Sequence, residues 1–377
     1  MNVTDCVERE GVRDEGFRSI PNLLVAWYDK NRRVLPWREE PTPYRVWVSE
    51  IMLQQTRVEA VKPYYERFLR RLPDVKALAE ADEETLLKLW EGLGYYNRVR
   101  NMQKAARTVM EQHGGEMPAD HEALLSLSGI GSYTAGAIAS IAFGIPKPAV
   151  DGNVLRVLSR VRADGRNVSD GKVRQAVEEE LEGIMPKDRP GDFNQAMMEL
   201  GAITCVPNGA PHCEECPLRE ICEAHKRGEE LSFPVKEGKK PRTIEQKTVL
   251  LIRDDNRFAI CKRPGKGLLA GMYEFPCMKG APSQEEVLKY LSDVGFKVLR
   301  ILPAGEAKHV FTHKEWHMNG YLIRVDELDR GSAQGDARNW IFVEPGETME
   351  KYPIPSAYEA YAKRISLIRG KNRFLEE

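Results

Sequence analysis

The chain has 377 residues, 42% of them hydrophobic and 30% charged, with 56 Lys and Arg against 57 Asp and Glu, a formal net charge of −1. That length suggests two or three domains of an ordinary soluble globular protein. No signal sequence or long apolar run is present, so a cytoplasmic setting without membrane contact is expected. A net charge so close to zero excludes an argument for nucleic-acid binding from bulk charge, and such binding has to rest on local patches.

Residues 1–20 are polar and mixed in charge and read as an N-terminal tail, and residues 21–225 read as one mostly helical domain. "PNLLVAWYDKN" has helical spacing, and "RVLPWREEPTPY" breaks it with prolines. "VWVSEIMLQQTRV", residues 46–58, places Glu50 among Val46, Trp47, Ile51 and Leu53. The helix is expected to run toward "YYERFLRRL", with Pro63 marking a kink or boundary. "DEETLLKLWEGL" has an acidic first turn and ends at Gly92 or Gly94. "LGYYNRVRNMQKAAR", 93–107, has four basic residues and no acid; it is a solvated helix face or a DNA-facing patch. Further helices fit 97–112, 120–127, 132–143, 152–163 and 170–184. Residues 226–246 are charged and broken by Gly and Pro, as a linker is. Strands then fit "KTVLLIR", "FAICKRP", "KVLRIL", "EAKHVFTH", "WHMNGYLIRV" and "NWIFV", with helices at "SQEEVLKYLSDVGF" and "PSAYEAYAKRI". Residues 247–372 thus read as a separate α+β domain.

Four constellations carry chemistry. A glutamate on an apolar helix face, Glu50, is either a buried group tied to the backbone or an arginine, or an acid whose pKa is raised by burial. In "LLSLSGIGSYTAGAIASIAFG", 124–144, Gly129 and Gly131 make a tight turn between two helices. The turn either packs a helical hairpin or aims free N–H groups at a phosphate. Asp151 precedes a helix in "PAVDGNVLRVLSRV" and is an N-cap or a second carboxylate. Two carboxyls are what N-glycosidic cleavage needs: one protonates the leaving group and one stabilises the cationic sugar. Cys205, Cys213, Cys216 and Cys222 follow C-x7-C-x2-C-x5-C, which fits zinc or an iron–sulfur cluster and matches the usual spacing of neither.

The hairpin, "VDGNV" and the cysteine loop 205–222 together resemble the helix–hairpin–helix DNA glycosylases that carry a 4Fe–4S cluster. "LPWR", "SEIMLQQT", "GLGYYNRVRN" and "FNQAMMELGAITC" are similar specifically to adenine DNA glycosylases of the MutY type, over about residues 30–225 and more weakly to the C-terminus. The resemblance implies a multidomain protein: an all-α glycosylase domain with an iron–sulfur loop, and a C-terminal Nudix-like domain. It implies base-excision repair of duplex DNA holding adenine opposite 8-oxoguanine or guanine, by a monomer. Glu50 then matches the catalytic acid, Asp151 the oxocarbenium stabiliser, and Tyr133 and Asn153 accessory catalytic positions. Arg38 and Gln195 match positions near the extruded adenine. Gln55, Thr56, Leu93 and Tyr95 match residues that fill the gap and touch 8-oxoguanine, and "HVFTH", with Phe311, Thr312 and His313, the loop that contacts it. Thr312 keeps the hydroxyl of the family's usual serine. Endonuclease III-type relatives have a Schiff-base lysine where Tyr133 stands, so little or no strand cleavage is expected. In the Nudix box, Leu288 and Lys289 replace R-E, and Ser292 and Asp293 replace E-E, so a magnesium site is not expected. The first cysteine gap is seven residues where the family has six.

Overall fold

The computed structural model describes residues 3–238, 241–326 and 334–364. The chain divides into two compact units, Met1–Glu80 with Asn101–Gly238, and Ala81–Arg100 with Lys239–Glu377. The last residues of the second domain expected from sequence, 365–372, lie outside the described residues.

Among its described residues the first unit contains helices and no strand. The expected tail is instead the start of a helix, Val3–Asn31. Phe17, Ile20, Leu24 and Tyr28 recur every three or four positions and are buried against Leu155, Leu158, Phe193 and Leu200. The polar residues between them hid that stripe. The break expected at Pro63 lies earlier: the helices are Pro43–Leu53 and Val58–Arg71, and Pro63 sits inside the second. Gln55 breaks the chain by adopting a left-handed φ of 58°, which leaves Gln54, Gln55 and Thr56 on a projecting turn. The helices Asn97–Gln112, His121–Ser126, Ser132–Phe143, Gly152–Arg162 and Gly171–Glu182 fall within a residue or two of the spans read from periodicity. Asp120, Asp151 and Asp170 cap three of them through their carboxylates.

Three glycines let helices approach neighbouring segments closely. A Cβ on Gly136 would lie 2.0 Å from the Pro148 carbonyl oxygen, one on Gly191 would lie 2.8 Å from the Ile141 Cα, and one on Gly201 would lie 2.5 Å from the Asn153 Cβ. Ser132–Phe143 packs on Pro43–Leu53 and on Pro190–Ile203, which also meets Gly152–Arg162.

The second unit holds a mixed sheet of β1 (Thr243–Asp254), β2 (Arg257–Lys262), β3 (Tyr273–Glu274), β4 (Cys277–Lys279), β5 (Val298–Val310), β6 (Lys314–Val325) and β7 (Trp340–Val343). Its order is β3-β2-β1-β6-β5, with β4 on β1 and β7 on β2; β1 and β6 pair in parallel and the other pairs among the described residues are antiparallel. Alternation along β1 sends Val249 and Leu251 to one face, with Trp316, Tyr358 and Tyr361, and Leu250 and Ile252 to the other, with Val287 and Leu291. Burial on both sides explains the unbroken apolar run "VLLI". "KVLRIL" and "EAKHV", read as two strands, are one: a register shift between Pro303 and Gly305 absorbs the intervening residues. The segment 81–100, placed in the helical domain by sequence, belongs to this unit. Lys88 Nζ donates to the Thr348 carbonyl at 2.7 Å, and Glu91 Oε1 accepts from the Ile354 N–H at 3.0 Å.

Gly136→Ala should lose stability despite the ~1 kcal/mol that alanine gains over glycine in a helix. The clash with backbone at Pro148 cannot relax by side-chain rotation, and a net loss of about 2 kcal/mol is expected in urea unfolding. An unchanged midpoint would show that the two segments part without cost.

Candidate active site

One cavity in the helical unit gathers side chains from seven stretches of the chain, Arg174 and Pro207 among them. Glu50 comes from Pro43–Leu53, a helix with Pro43 in its first turn and Thr42 as cap, which accepts from the Arg45 N–H. Tyr133 opens Ser132–Phe143, and Asp151 caps Gly152–Arg162. Gln195, Met198 and Glu199 share a face of Pro190–Ile203, and Arg33 and Arg38 come from the segment after the first helix. Gln54, Gln55 and Thr56 line the same space.

Glu50 is 6% exposed. Burial raises its carboxyl to about 7; the hydrogen bond donated by the Tyr133 hydroxyl lowers it, nearby Asp151 raises it, and Arg38 lowers it. Tyr133 also lies 3.3 Å from Met198 Sδ, and burial, reinforced by Glu50 and Asp151, pushes its phenol well above the usual range. Asp151 Oδ1 accepts from the N–H groups of Asn153 and Val154, both at 2.8 Å, and its Oδ2 accepts from Asn153 Nδ2 at 2.8 Å. Burial raises the Asp151 pKa against the pull of these donors and of Arg156.

At the other end of the cavity, Glu199 is 1% exposed and fully engaged. Arg33 donates from Nε at 2.7 Å and Nη2 at 2.8 Å, and Arg38 from Nη2 at 2.9 Å. Burial opposes the charge, but these two arginines prevail and hold Glu199 at about 2. Arg38 Nε also donates to Gln195 Oε1 at 3.0 Å.

Cys205, Cys213, Cys216 and Cys222 line a second, separate pocket, all as free thiols. Burial raises the Cys213 thiol to about 11 and Cys216 to about 12, and raises Cys222 as well, with mutual repulsion adding to each. Arg160 Nη1 donates to Cys205 Sγ at 3.2 Å. Four convergent sulfurs with a guanidinium beside them fit a thiolate-bound metal centre, whose charge would displace the protons. The long first gap is absorbed by exposed residues 207–210, where Gly209 takes a φ of +78° and the His212 N–H closes the loop on the Thr204 carbonyl at 2.9 Å. His225 and Glu230 lie beside Cys213, their ligand atoms within 4.8 Å of one another, a grouping that sequence spacing did not suggest.

Residues 48–183 match the family described as HhH-GPD superfamily base excision DNA repair protein, and residues 248–364 match the NUDIX domain. The human adenine DNA glycosylase is 37% identical over 92% of this chain and 73% of its own length. The mouse enzyme is 36% identical over 84% and 73%. The adenine DNA glycosylase of Buchnera aphidicola is 33% identical over 91% of this chain and 97% of its own. This chain belongs to the adenine DNA glycosylase family. It is a DNA N-glycosylase of base-excision repair. Its helical part is similar to the structure of a thermostable thymine-DNA glycosylase, with a TM-score of 0.52 and 28% identity over 56% of this chain and 98% of that one. No helix among the described residues is long and apolar enough to cross a membrane.

In this glycosylase Arg38, Glu50, Gln55, Thr56, Tyr133, Asp151, Asn153 and Gln195 share one cavity. Gly129 and Gly131 lie outside it, at the hairpin. Gly129 has a φ of +78° and faces Asn101, while space beside Gly131 is open. Leu93, Tyr95, Phe311, Thr312 and His313 are in the second unit. There the Tyr95 hydroxyl lies 2.6 Å from Thr312 Oγ1, Tyr95 is 49% exposed, and Leu93 is buried. Arg33, Met198 and Glu199 were missed. Glu199 carried the same signal as Glu50, a carboxylate within an apolar stretch, and stands four residues from Gln195 on one helix face.

The folded Glu50 pKa of about 7 exceeds its ordinary 4.5. Stability tied to this group is therefore full below pH 4.5 and is lost as the pH rises through 7, amounting to about 3 kcal/mol. Glu50→Gln should match the parent in urea unfolding at the acid end and exceed it increasingly up to pH 8. A gap that stays constant with pH would mean that Glu50 ionises normally.

Proposed function

We propose that this glycosylase extrudes adenine mispaired with 8-oxoguanine or guanine and removes it by hydrolysis. The observation that carries the reading is a buried Glu50 carboxyl, raised to about 7, in one cavity with Asp151. Such a group is still substantially protonated at neutral pH and can donate to adenine N7. As the C1′–N9 bond breaks, its electron pair leaves with the base and the sugar becomes an oxocarbenium ion. Asp151, held as an acceptor by three donors, stabilises that cation. Water adds to C1′ and returns a proton to Glu50, leaving an abasic site. Tyr133 and Asn153 orient the two carboxyls, and Arg38 and Gln195 bind the extruded base. Flipping costs a few kcal/mol of unstacking, offset by residues that fill the gap, for which Gln55, Thr56, Leu93 and Tyr95 are proposed. Tyr133 offers no amine for a Schiff base, so the enzyme is monofunctional.

The NUDIX-like domain reads the oxidised base through Phe311, Thr312 and His313. Its helix Gln284–Asp293 carries Ser292 and Asp293 where a hydrolase needs magnesium-binding glutamates. A 4Fe–4S cluster on Cys205, Cys213, Cys216 and Cys222 would supply structural cross-linking of the loop. The enzyme works as a monomer on duplex DNA, in the cytoplasm and on the nucleoid if bacterial.

Single-turnover assays on A·8-oxoguanine, A·G, A·T and thymine-glycol duplexes test this. Base release from the first two, with strands cut only after alkali, is expected. Glu50→Gln should bind the A·8-oxoguanine duplex and lose excision by about 10²-fold or more; excision at the parent rate would remove Glu50 from its role. Tyr133→Lys should gain strand nicking and a borohydride-trappable adduct. The purified protein should contain iron and acid-labile sulfide in equal amounts, and Cys213→Ser should lower both. A protein carrying zinc instead would overturn the cluster.

A further inference from the structure

A third cavity in the helical unit lies back to back with the candidate active site. The two share Arg33, Leu35, Arg38, Ile141 and Gln195 as common wall. The rear cavity opens to solvent and has a volume of about 500 Å³, ample for a purine. Four of its charged lining groups, Arg33, Arg38, Arg189 and Asp192, are held in ion pairs, and Arg32, Glu39 and Asp188 also line it. Arg189 holds Asp29 at 2.6 Å and Asp192 at 2.7 Å, and Arg33 and Arg38 are held by Glu199. A neutral heteroaromatic ring suits such a lining better than a phosphate does.

The wall between the cavities has one fixed and one movable half. Arg38 is anchored by Glu199 and by the Arg33 carbonyl, which accepts from its Nη1 at 3.0 Å. Gln195 is half-buried, and its side chain is held by a single hydrogen bond, from Arg38 Nε. Moving the Gln195 side chain would break that hydrogen bond and none of the ion pairs.

On the reading of the site as an adenine excision site, cleavage leaves a free base behind a sugar still tethered to the duplex. The entry side is then blocked by the product strand. We propose that the rear cavity is the exit route of the excised neutral purine, with Gln195 as its gate, so that the base departs before the DNA.

The test uses full-length enzyme and a duplex carrying tritium-labelled adenine opposite 8-oxoguanine. Alkali-labile sites measure bond cleavage, rapid gel filtration measures free base, and duplex dissociation is followed in parallel. Val34, 85% exposed, and Asp188, also exposed, line only the rear cavity. Val34→Trp and Asp188→Trp, singly and together, narrow it. The parent should release base while the duplex remains bound. The double variant should cleave within about twofold of the parent but release base about tenfold more slowly, in step with the duplex. Base and duplex leaving the parent together, or base release from the double variant at the parent rate, would overturn the exit route. Absence of cleavage in the parent would instead sink the excision reading beneath it.

Discussion

Removing a carboxyl from water costs several kcal/mol unless another group carries or cancels its charge. Around the active-site cavity two glutamates meet that cost in opposite ways. Glu199 receives two arginines and stays ionised at a pKa of about 2, while Glu50 receives one phenol and rises to about 7. The same residue type is thus held as an anion between Arg33 and Arg38 in one place and raised toward neutrality in the other.

That division depends on close helix packing. Tyr133 and Asp151 stand at the starts of Ser132–Phe143 and Gly152–Arg162, and both helices pack on Pro190–Ile203 with little side-chain volume between them. Gly136 against Pro148, Gly191 against Ile141 and Gly201 against Asn153 supply the contact. Gly201 matters most for chemistry, since Asn153 donates to Asp151 and any displacement would carry the carboxylate with it. Asp151 is both the expected N-cap and a wall of the cavity. Its cap hydrogen bonds are what oppose protonation of a buried carboxylate, so the bland and the chemical readings of this residue are one arrangement.

In the second unit, both faces of the sheet are covered, and the segment 81–100 is fastened to it by Lys88, Glu91 and Arg100. Tyr95 and Thr312 meet there although 217 positions separate them. They were read from different motifs, and their proximity is independent of either motif.

The sequence by itself determined most helices of the first unit, the strands of the second, and the caps at Asp120, Asp151 and Asp170. These are local properties: periodicity, caps and turn residues act over one to four positions. It misjudged residues 1–20, the break near Pro63 and the strand broken at Pro303. In each case the outcome turned on burial or on a single left-handed or bulged residue that leaves little compositional trace. Only the tertiary structure decided that Glu199, not Glu50, receives the arginines, that eight expected residues share one cavity, and that a third cavity lies behind Arg38 and Gln195. Those facts depend on desolvation and on distances between segments remote in the chain, and no pattern of neighbours along the sequence encodes them.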